Sequence, residues 1–165
     1  MKRLILVRHA KSDWSLPGQE DWDRPLNARG QRDAPEMARR LRSRRLKPDR
    51  ILSSPAVRAL TTATVMAREL RVVASLLQAE ERLYLAAPAD MLALLRELGA
   101  AAKHIMVVAH NPGVTEFANR LSGDETIDNM PTCAVFTARF EIASWDRLDW
   151  GQGEDVEFDY PRKPT

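Results

Sequence analysis

The 165-residue chain has a single cysteine, Cys133, which excludes an internal disulfide and is compatible with a reducing compartment. No apolar run approaches the ~20 residues needed to cross a bilayer. The start, Met1 to Arg8, has too short an apolar stretch for a signal peptide, whose core needs about 7–15 residues. The expectation is a cytoplasmic protein without a membrane partner. Repeats, low-complexity segments and linkers are also absent. The length suits one domain, residues 1–165, with enough chain for a real core.

The net charge of +2 conceals an asymmetry. Residues 1–50 carry 14 Lys/Arg against 7 Asp/Glu, and the remainder carries 11 against 16. The basic excess is densest at Arg39, Arg40, Arg42, Arg44, Arg45, Lys47 and Arg50. Single-stranded nucleic acid is held by interleaving aromatics with such charges, and none is interleaved here. A solvated helix face is therefore expected, and nucleic acid is not. The acidic stretch Glu154, Asp155, Glu157 and Asp159, preceded by Trp145 and Trp150, reads as a peripheral strand with a solvated face.

Apolar patterning supplies the elements. Arg3 to Val7 reads as a buried strand, followed by a polar segment with Pro17-Gly18 as a turn. Met37, Leu41, Ala34 and Ala38 recur at helical spacing over 27–45. Pro35 either kinks that helix or lies in the first turn of a new one capped by Asp33. Arg50 to Ser53 is a second strand, and Ser54-Pro55 opens a helix to about Leu70, with Ser54 as its cap. Val72 to Ala74 reads as a third strand. Pro88 starts a helix that Gly99 ends. His104 to Ala109 is the clearest strand, followed by a helix to about Leu121. Cys133 to Phe140 and Asp155 to Tyr160 alternate like edge strands.

Strands alternating with helices imply a layered α/β fold with a mostly parallel sheet. In such sheets ligands bind outside the carboxyl ends of the strands. The first strand ends at Arg8-His9, the second just before Arg58, and 104–109 ends at His110. Two arginines and two histidines thus converge on one sheet edge. That set suits a phosphoryl group. Arginine presents a permanently charged fork of donors, and neutral histidine offers a ring nitrogen that can attack phosphorus and leave again. Positioning and charge compensation supply most of such catalysis, so no metal or cofactor is required of these residues. His104 begins its strand and lies at the opposite edge, which makes it structural.

Four segments then resemble a known family. Leu6-Val7-Arg8-His9-Ala10-Lys11-Ser12-Asp13-Trp14 is similar to the signature of the histidine phosphatase superfamily, with Ala10 where glycine is commoner. Asp23 to Gly30, Ser53 to Ala59 with Thr61-Thr62-Ala63, and Val108 to Pro112 fit in the same order. The length and the Asp-Arg-Pro-Leu segment most resemble the small bacterial SixA-type phosphohistidine phosphatases. This resemblance implies a phosphoglycerate mutase-like, three-layer α/β/α fold with helices on both faces. It implies His9 as nucleophile, with Arg8, Arg58 and His110 completing a phosphate pocket. Ser12 matches a Ser/Thr position, Ser15 stands where many relatives have a phosphate-contacting asparagine, and Asn111 is a further candidate ligand. Glu81 resembles the position of the proton donor, with Glu80 as the alternative. Trp14 either walls the pocket or packs in the core, and core packing is expected.

The stretch Cys133 to Arg139 also has the spacing of a cysteine phosphatase loop. It lacks the glycines that let backbone N–H groups wrap a phosphate, and it alternates like a strand, so a chance match is expected. Little chain separates Glu81 from the helix at Pro88, leaving little material for a lid. An open pocket favours a phosphorylated protein, the carrier of a phosphohistidine, as substrate. The alternatives are a phosphomonoesterase acting on small phosphoesters, and a phosphate-binding module without activity.

Overall fold

The computed structural model describes residues 1–124 and 126–163. Six strands form one sheet: β1 (Lys2–Arg8), β2 (Arg50–Ser53), β3 (Leu77–Ala79), β4 (His104–Ala109), β5 (Val135–Phe140) and β6 (Glu154–Asp159). Four helices connect them: α1 (Ala28–Ser43), α2 (Val57–Glu69), α3 (Pro88–Leu98) and α4 (Gly113–Ser122). The strand order is β3-β2-β4-β1-β5-β6. β3, β2, β4 and β1 pair in parallel, whereas β5 runs antiparallel to both β1 and β6. The sheet is mixed, with a parallel majority.

The layers follow from strand alternation, in which successive side chains take opposite faces. Leu4, Leu6, Leu52, Ile105 and Val107 join the core against α3 and α4. Ile5, Val7, Ile51, Met106 and Val108 join the core against α1 and α2. Both faces of β1 are therefore apolar and covered, which is why Arg3 to Val7 reads as an unbroken run rather than an alternating one. Full burial of each such side chain is worth ~1.5–3 kcal/mol, so these two clusters dominate the stability.

Several expected elements move. α1 runs without interruption through Pro35, and its cap is Asn27, whose side chain accepts from Gly30 N–H at 2.9 Å. Asp33 is no cap; it pairs with Arg162 at 2.9 Å and with Arg29. The expected strand at Val72 to Ala74 is replaced by a 3₁₀ turn (Ala74–Leu76), and β3 follows at 77–79. The reason is local: Val72 N–H closes the end of α2 on Ala67 C=O, and Val73 lies exposed. β5 is an interior strand flanked by β1 and β6, so of the two C-terminal strands only β6 is an edge. Trp145 is buried, with its indole N–H on Ala102 C=O.

The charge asymmetry closes on itself. Arg40 meets Asp159 at 3.0 Å and Arg44 meets Glu157 at 2.5 Å, so the basic face of α1 clasps the acidic edge strand. Partly exposed pairs contribute only ~0–1 kcal/mol each. They orient β6 more than they stabilise it. No described helix is long and apolar enough to cross a membrane.

This topology determines where a site can form. β1 and β4 are neighbours with Arg8 opposite Ala109, but the helices that follow them lie on opposite faces. A crevice opens between the carboxyl ends of two such strands. His9 and His110 are the next residue on each.

Candidate active site

His9 leaves the end of β1 and is only 7% exposed. Its Nδ1 lies 2.8 Å from Ala10 C=O. A carbonyl only accepts, so Nδ1 carries the proton and Nε2 keeps its lone pair. Nε2 has no protein partner among the described residues. Burial, with the positive charges nearby, pushes the His9 pKa down to about 3. At neutral pH this ring is an uncharged base with one free nitrogen.

His110 is occupied at both nitrogens. Arg58 Nη2 lies 3.3 Å from Nδ1, and arginine can only donate, so Nδ1 accepts. Nε2 then holds the proton and donates to Ser54 Oγ at 2.7 Å. Burial and the Arg58 charge lower its pKa to about 4. The two imidazoles lie 5.1 Å apart between centroids. Only His9 is free to act as a nucleophile.

Arg58, in the first turn of α2 and 3% exposed, donates through Nη1 to Asp21 C=O at 2.7 Å and through Nη2 to Asp21 Oδ2 at 3.0 Å. Arg8 donates through Nη1 to Met130 C=O at 2.8 Å. The Nε donors of both arginines are buried without an acceptor. Buried charged donors left unpaired are costly, and an anion in the crevice would satisfy them.

The supports of this set include residues whose part the sequence did not reveal. Asp21 sits in a 3₁₀ turn (Asp21–Asp23) and also accepts from Tyr84 Oη at 2.5 Å and from Arg24 Nη2 at 2.9 Å. Burial alone would raise its pKa, but the hydrogen bonds from Tyr84 and Arg24 and the charge of Arg58 outweigh that and hold the carboxylate well below its ordinary range. Tyr84 meets His110 edge-on at 5.4 Å. Thr62 Oγ1 accepts from Ala10 N–H at 3.0 Å and donates to Arg58 C=O at 2.8 Å, tying the loop after His9 to the helix that carries Arg58. Thr62 lies in one of the matched segments, but no spacing rule marks that bridge. Asp21 is separated from Tyr84 by 63 positions in the chain, so no local pattern links them.

The remaining candidates fall differently. Ser12 is buried and accepts from Arg24 Nη1 at 2.6 Å, so it steadies Arg24. Ser15 is exposed, and its N–H bonds Asp13, which keeps it at a turn outside the cluster. The Asn111 amide donates to Asn129 and Met130 and accepts from Thr115, so its side chain braces the 129–130 loop. Ser54 does not cap α2, whose cap is Ala56; the Ser54 hydroxyl is held by His110. Glu81 opens a 3₁₀ turn (Glu81–Leu83) with its side chain exposed, and Glu80 is paired with Arg82 at 2.9 Å. Trp14 is not in the core: it is 70% exposed and lies under Arg24, 3.4 Å from ring centroid to guanidinium carbon. His104 sits at the far edge, bracing Asp49 through its backbone N–H.

The cysteine alternative is excluded by position. Cys133 is buried, burial pushes its thiol pKa upward, and Arg139 lies within β5 rather than at the end of a phosphate loop. The Cys133 N–H donates to the carbonyls of Arg8 and His9 and so braces the nucleophile's backbone.

Gly113 shows how closely the site is backed. A Cβ there would meet Ala86 C=O at 2.0 Å, so glycine is what lets the start of α4 lie against the segment that carries Tyr84.

The depressed histidine values predict a titration. In ¹³C-histidine NMR of the free protein, His9 and His110 should titrate near pH 3 and pH 4, not near the ordinary value of about 6.5. Unfolding then takes up protons as pH falls below ~6.5, so this part of the stability is lost between there and about pH 3. Midpoints above pH 6 would contradict the neutral, buried rings.

Comparison with known proteins agrees with this architecture. The family model for the histidine phosphatase superfamily, branch 1, matches residues 4–84. An uncharacterised chloroplastic protein of Arabidopsis thaliana is 34% identical over 88% of this chain and 69% of its own length. The structure of SixA from Agrobacterium tumefaciens superposes with a TM-score of 0.83 at 26% identity, covering 97% of this chain and 98% of that one. The tungstate complex of the protein histidine phosphatase SixA gives 0.78 at 21% identity, covering 96% and 94%. With two histidines and two arginines gathered at the β1–β4 crevice, the chain belongs to the histidine phosphatase superfamily, branch 1, as a SixA-like phosphatase.

Proposed function

We propose that this phosphatase removes the phosphoryl group from phosphohistidine on a protein, with His9 as its nucleophile. The observation that carries the reading is the His9 ring itself, neutral, with Nδ1–H held by Ala10 and Nε2 unpartnered among the described residues, in the positive field of Arg58 and Arg8. The Nε2 lone pair attacks phosphorus in line, and the substrate's P–N bond breaks as its imidazole takes up a proton from solvent. Water then attacks the phosphorus on His9 and returns a proton to solvent, the second P–N bond breaks with its electron pair left on Nε2, and inorganic phosphate and neutral His9 result. Arg8 and Arg58 compensate the charge on the equatorial oxygens in both steps. His110, fixed by Arg58 and Ser54, completes the pocket wall.

The protein substrate is supported by the short chain beside the site. Between β3 and α3 the chain has only a 3₁₀ turn and a short connection, with no insertion to close over a small molecule. Phosphohistidine also makes little demand on an acid, because its leaving imidazole is readily protonated. That fits an exposed Glu81 with no bond to the cluster. Similarity to SixA, named a protein histidine phosphatase, supports the same substrate.

The test is direct. A histidine carrier protein, phosphorylated with phosphoramidate, and p-nitrophenyl phosphate are offered separately at equal concentration. The carrier should be turned over with the higher kcat/KM. Wide preference for the ester would assign the chain to small phosphoesters, and phosphate binding without turnover of either would make it a binding module.

A further inference from the structure

The basic run at 39–50 is only partly used by the fold. Arg39 and Arg40 pair with Glu36, Arg40 also meets Asp159, Arg44 meets Glu157, and Arg50 donates to Gln78 Oε1 at 2.5 Å. Arg42, Arg45 and Lys47 remain, and they line one cavity of about 510 Å³ together with Leu46, Leu70 and Arg71. Four cations and no carboxylate thus border one space. Arg45, Lys47 and Arg71 have no ion pair or side-chain hydrogen bond among the described residues. Arg42 alone has a carboxylate nearby, Glu69 at 3.9 Å, and it also donates to Glu69 C=O at 3.2 Å.

Helix ends explain where these residues lie but not their charge. α1 and α2 close in the same way, with Arg45 at φ +58° and Arg71 at φ +60°. The next N–H reaches back into each helix, Leu46 to Leu41 C=O at 3.0 Å and Val72 to Ala67 C=O at 2.8 Å. The N–H groups of Arg45 and Arg71 close on Arg42 and Arg68 C=O. Backbone donors therefore cap those carbonyls, and no arginine side chain is needed for them. Such a closure favours glycine. Two exposed arginines stand there instead, and the paired closures bring both to one cavity. A cleft lined by one sign of charge focuses its field and concentrates counter-ions. Its volume also lies in the ~300–1,000 Å³ range of small-molecule sites. The cavity is separate from the catalytic crevice. Lys47 precedes β2, at the amino ends of the parallel strands, and α2 places Arg58 in its first turn but Glu69 at its end, roughly 16 Å away by helical rise.

We propose that this cavity binds a small anion with two linked phosphate groups, such as a diphosphate or the diphosphate end of a nucleotide. Guanidinium forks match phosphate oxygens two at a time, and Arg45 and Arg71 have no competing partner among the described residues. A single phosphate carries about −2 at most and would leave cations of the set uncompensated. A second linked phosphate meets them. No aromatic side chain lines the cavity among the described residues, so a base has no platform to stack on. The phosphates therefore carry the recognition, and a nucleoside attached to them adds little.

The experiment titrates ¹⁵N-labelled wild type with methylenediphosphonate, α,β-methylene-ADP and orthophosphate, which offer no terminal phosphoryl group to cleave. Backbone amide signals of 42–47 and 70–72 should shift and saturate with the first two probes at similar Kd. Orthophosphate should bind there about tenfold or more weakly, for want of the second set of charge-assisted hydrogen bonds. The double variant Arg45→Gly with Arg71→Gly puts in the residue that this backbone favours, so its Tm should be unchanged or higher. It should bind both diphosphates about tenfold or more weakly, while phosphatase activity stays within about twofold of wild type. Shifts confined to residues around His9 and His110 would place the anions in the phosphate pocket and overturn the site, as would undiminished affinity in the double variant. Orthophosphate bound as tightly as the diphosphates would overturn the requirement for linked phosphates. α,β-methylene-ADP bound far more tightly than methylenediphosphonate would overturn recognition through the phosphates alone.

Discussion

His9→Ala is expected to lower turnover of both carrier and ester by roughly 10⁴–10⁶-fold, the scale seen when a nucleophile is deleted and the rest of the site remains. It should also abolish the acid-labile, base-stable phosphoryl label that a quenched reaction of wild type leaves on the chain. The geometry makes this specific to His9. His110 has both ring nitrogens engaged, by Arg58 and by Ser54, whereas His9 Nε2 has no protein partner among the described residues. The variant should fold, since the imidazole makes only one hydrogen bond, to the adjacent carbonyl. Tungstate binding by calorimetry should persist, because Arg8 and Arg58 are untouched. Retained labelling in His9→Ala would locate the nucleophile elsewhere.

Arg58→Ala should cost roughly 10²–10³ in kcat, the usual loss of one preorganised donor to developing charge. The side chain is nearly fully buried, and three of its contacts converge on Asp21 and His110, so its guanidinium does not need to be ordered when phosphate arrives. Removal also frees His110 Nδ1 and leaves Asp21 with Arg24 as its one remaining cation, so a modest fall in Tm should accompany the loss. Arg58→Lys separates charge from geometry. Lysine keeps the charge but not the planar fork, and should recover only part of kcat. A kcat unchanged in Arg58→Ala, with only KM raised, would reduce Arg58 to ground-state binding.

How much of this was legible in the chain varied with the kind of interaction. β1, β2 and β4 were readable because burial on both faces demands an unbroken apolar run, and such runs are rare by chance. Their carboxyl ends then named Arg8, His9 and His110 directly. α3 was legible from Pro88 at its start and Gly99 at its end. The strand expected at Val72 was not, because those valines continue the closing turn of α2, and a valine's preference for strands yields to a hydrogen bond already in place. Ser54 looked like a cap by every local criterion. The helix instead starts at Val57, and the Ser54 hydroxyl accepts from His110 and from Ala56 N–H.

By itself, then, the sequence determined the layered α/β class, the parallel core strands and the four residues at the sheet edge. Each of these depends on local periodicity or on what directly follows a strand. Only the tertiary structure decided which histidine has a free nitrogen, because the tautomer is set by partners 1 residue away for His9 but 52 and 56 residues away for His110. It alone brought Asp21, Tyr84 and Arg24 together around Arg58, set the basic helix against the acidic strand, and left Trp14 and Leu85 at the surface. Those outcomes depend on hydrogen bonds and packing between segments far apart in the chain, and on the cost of burying a charge unpaired, for which no residue pattern along the chain is a sign.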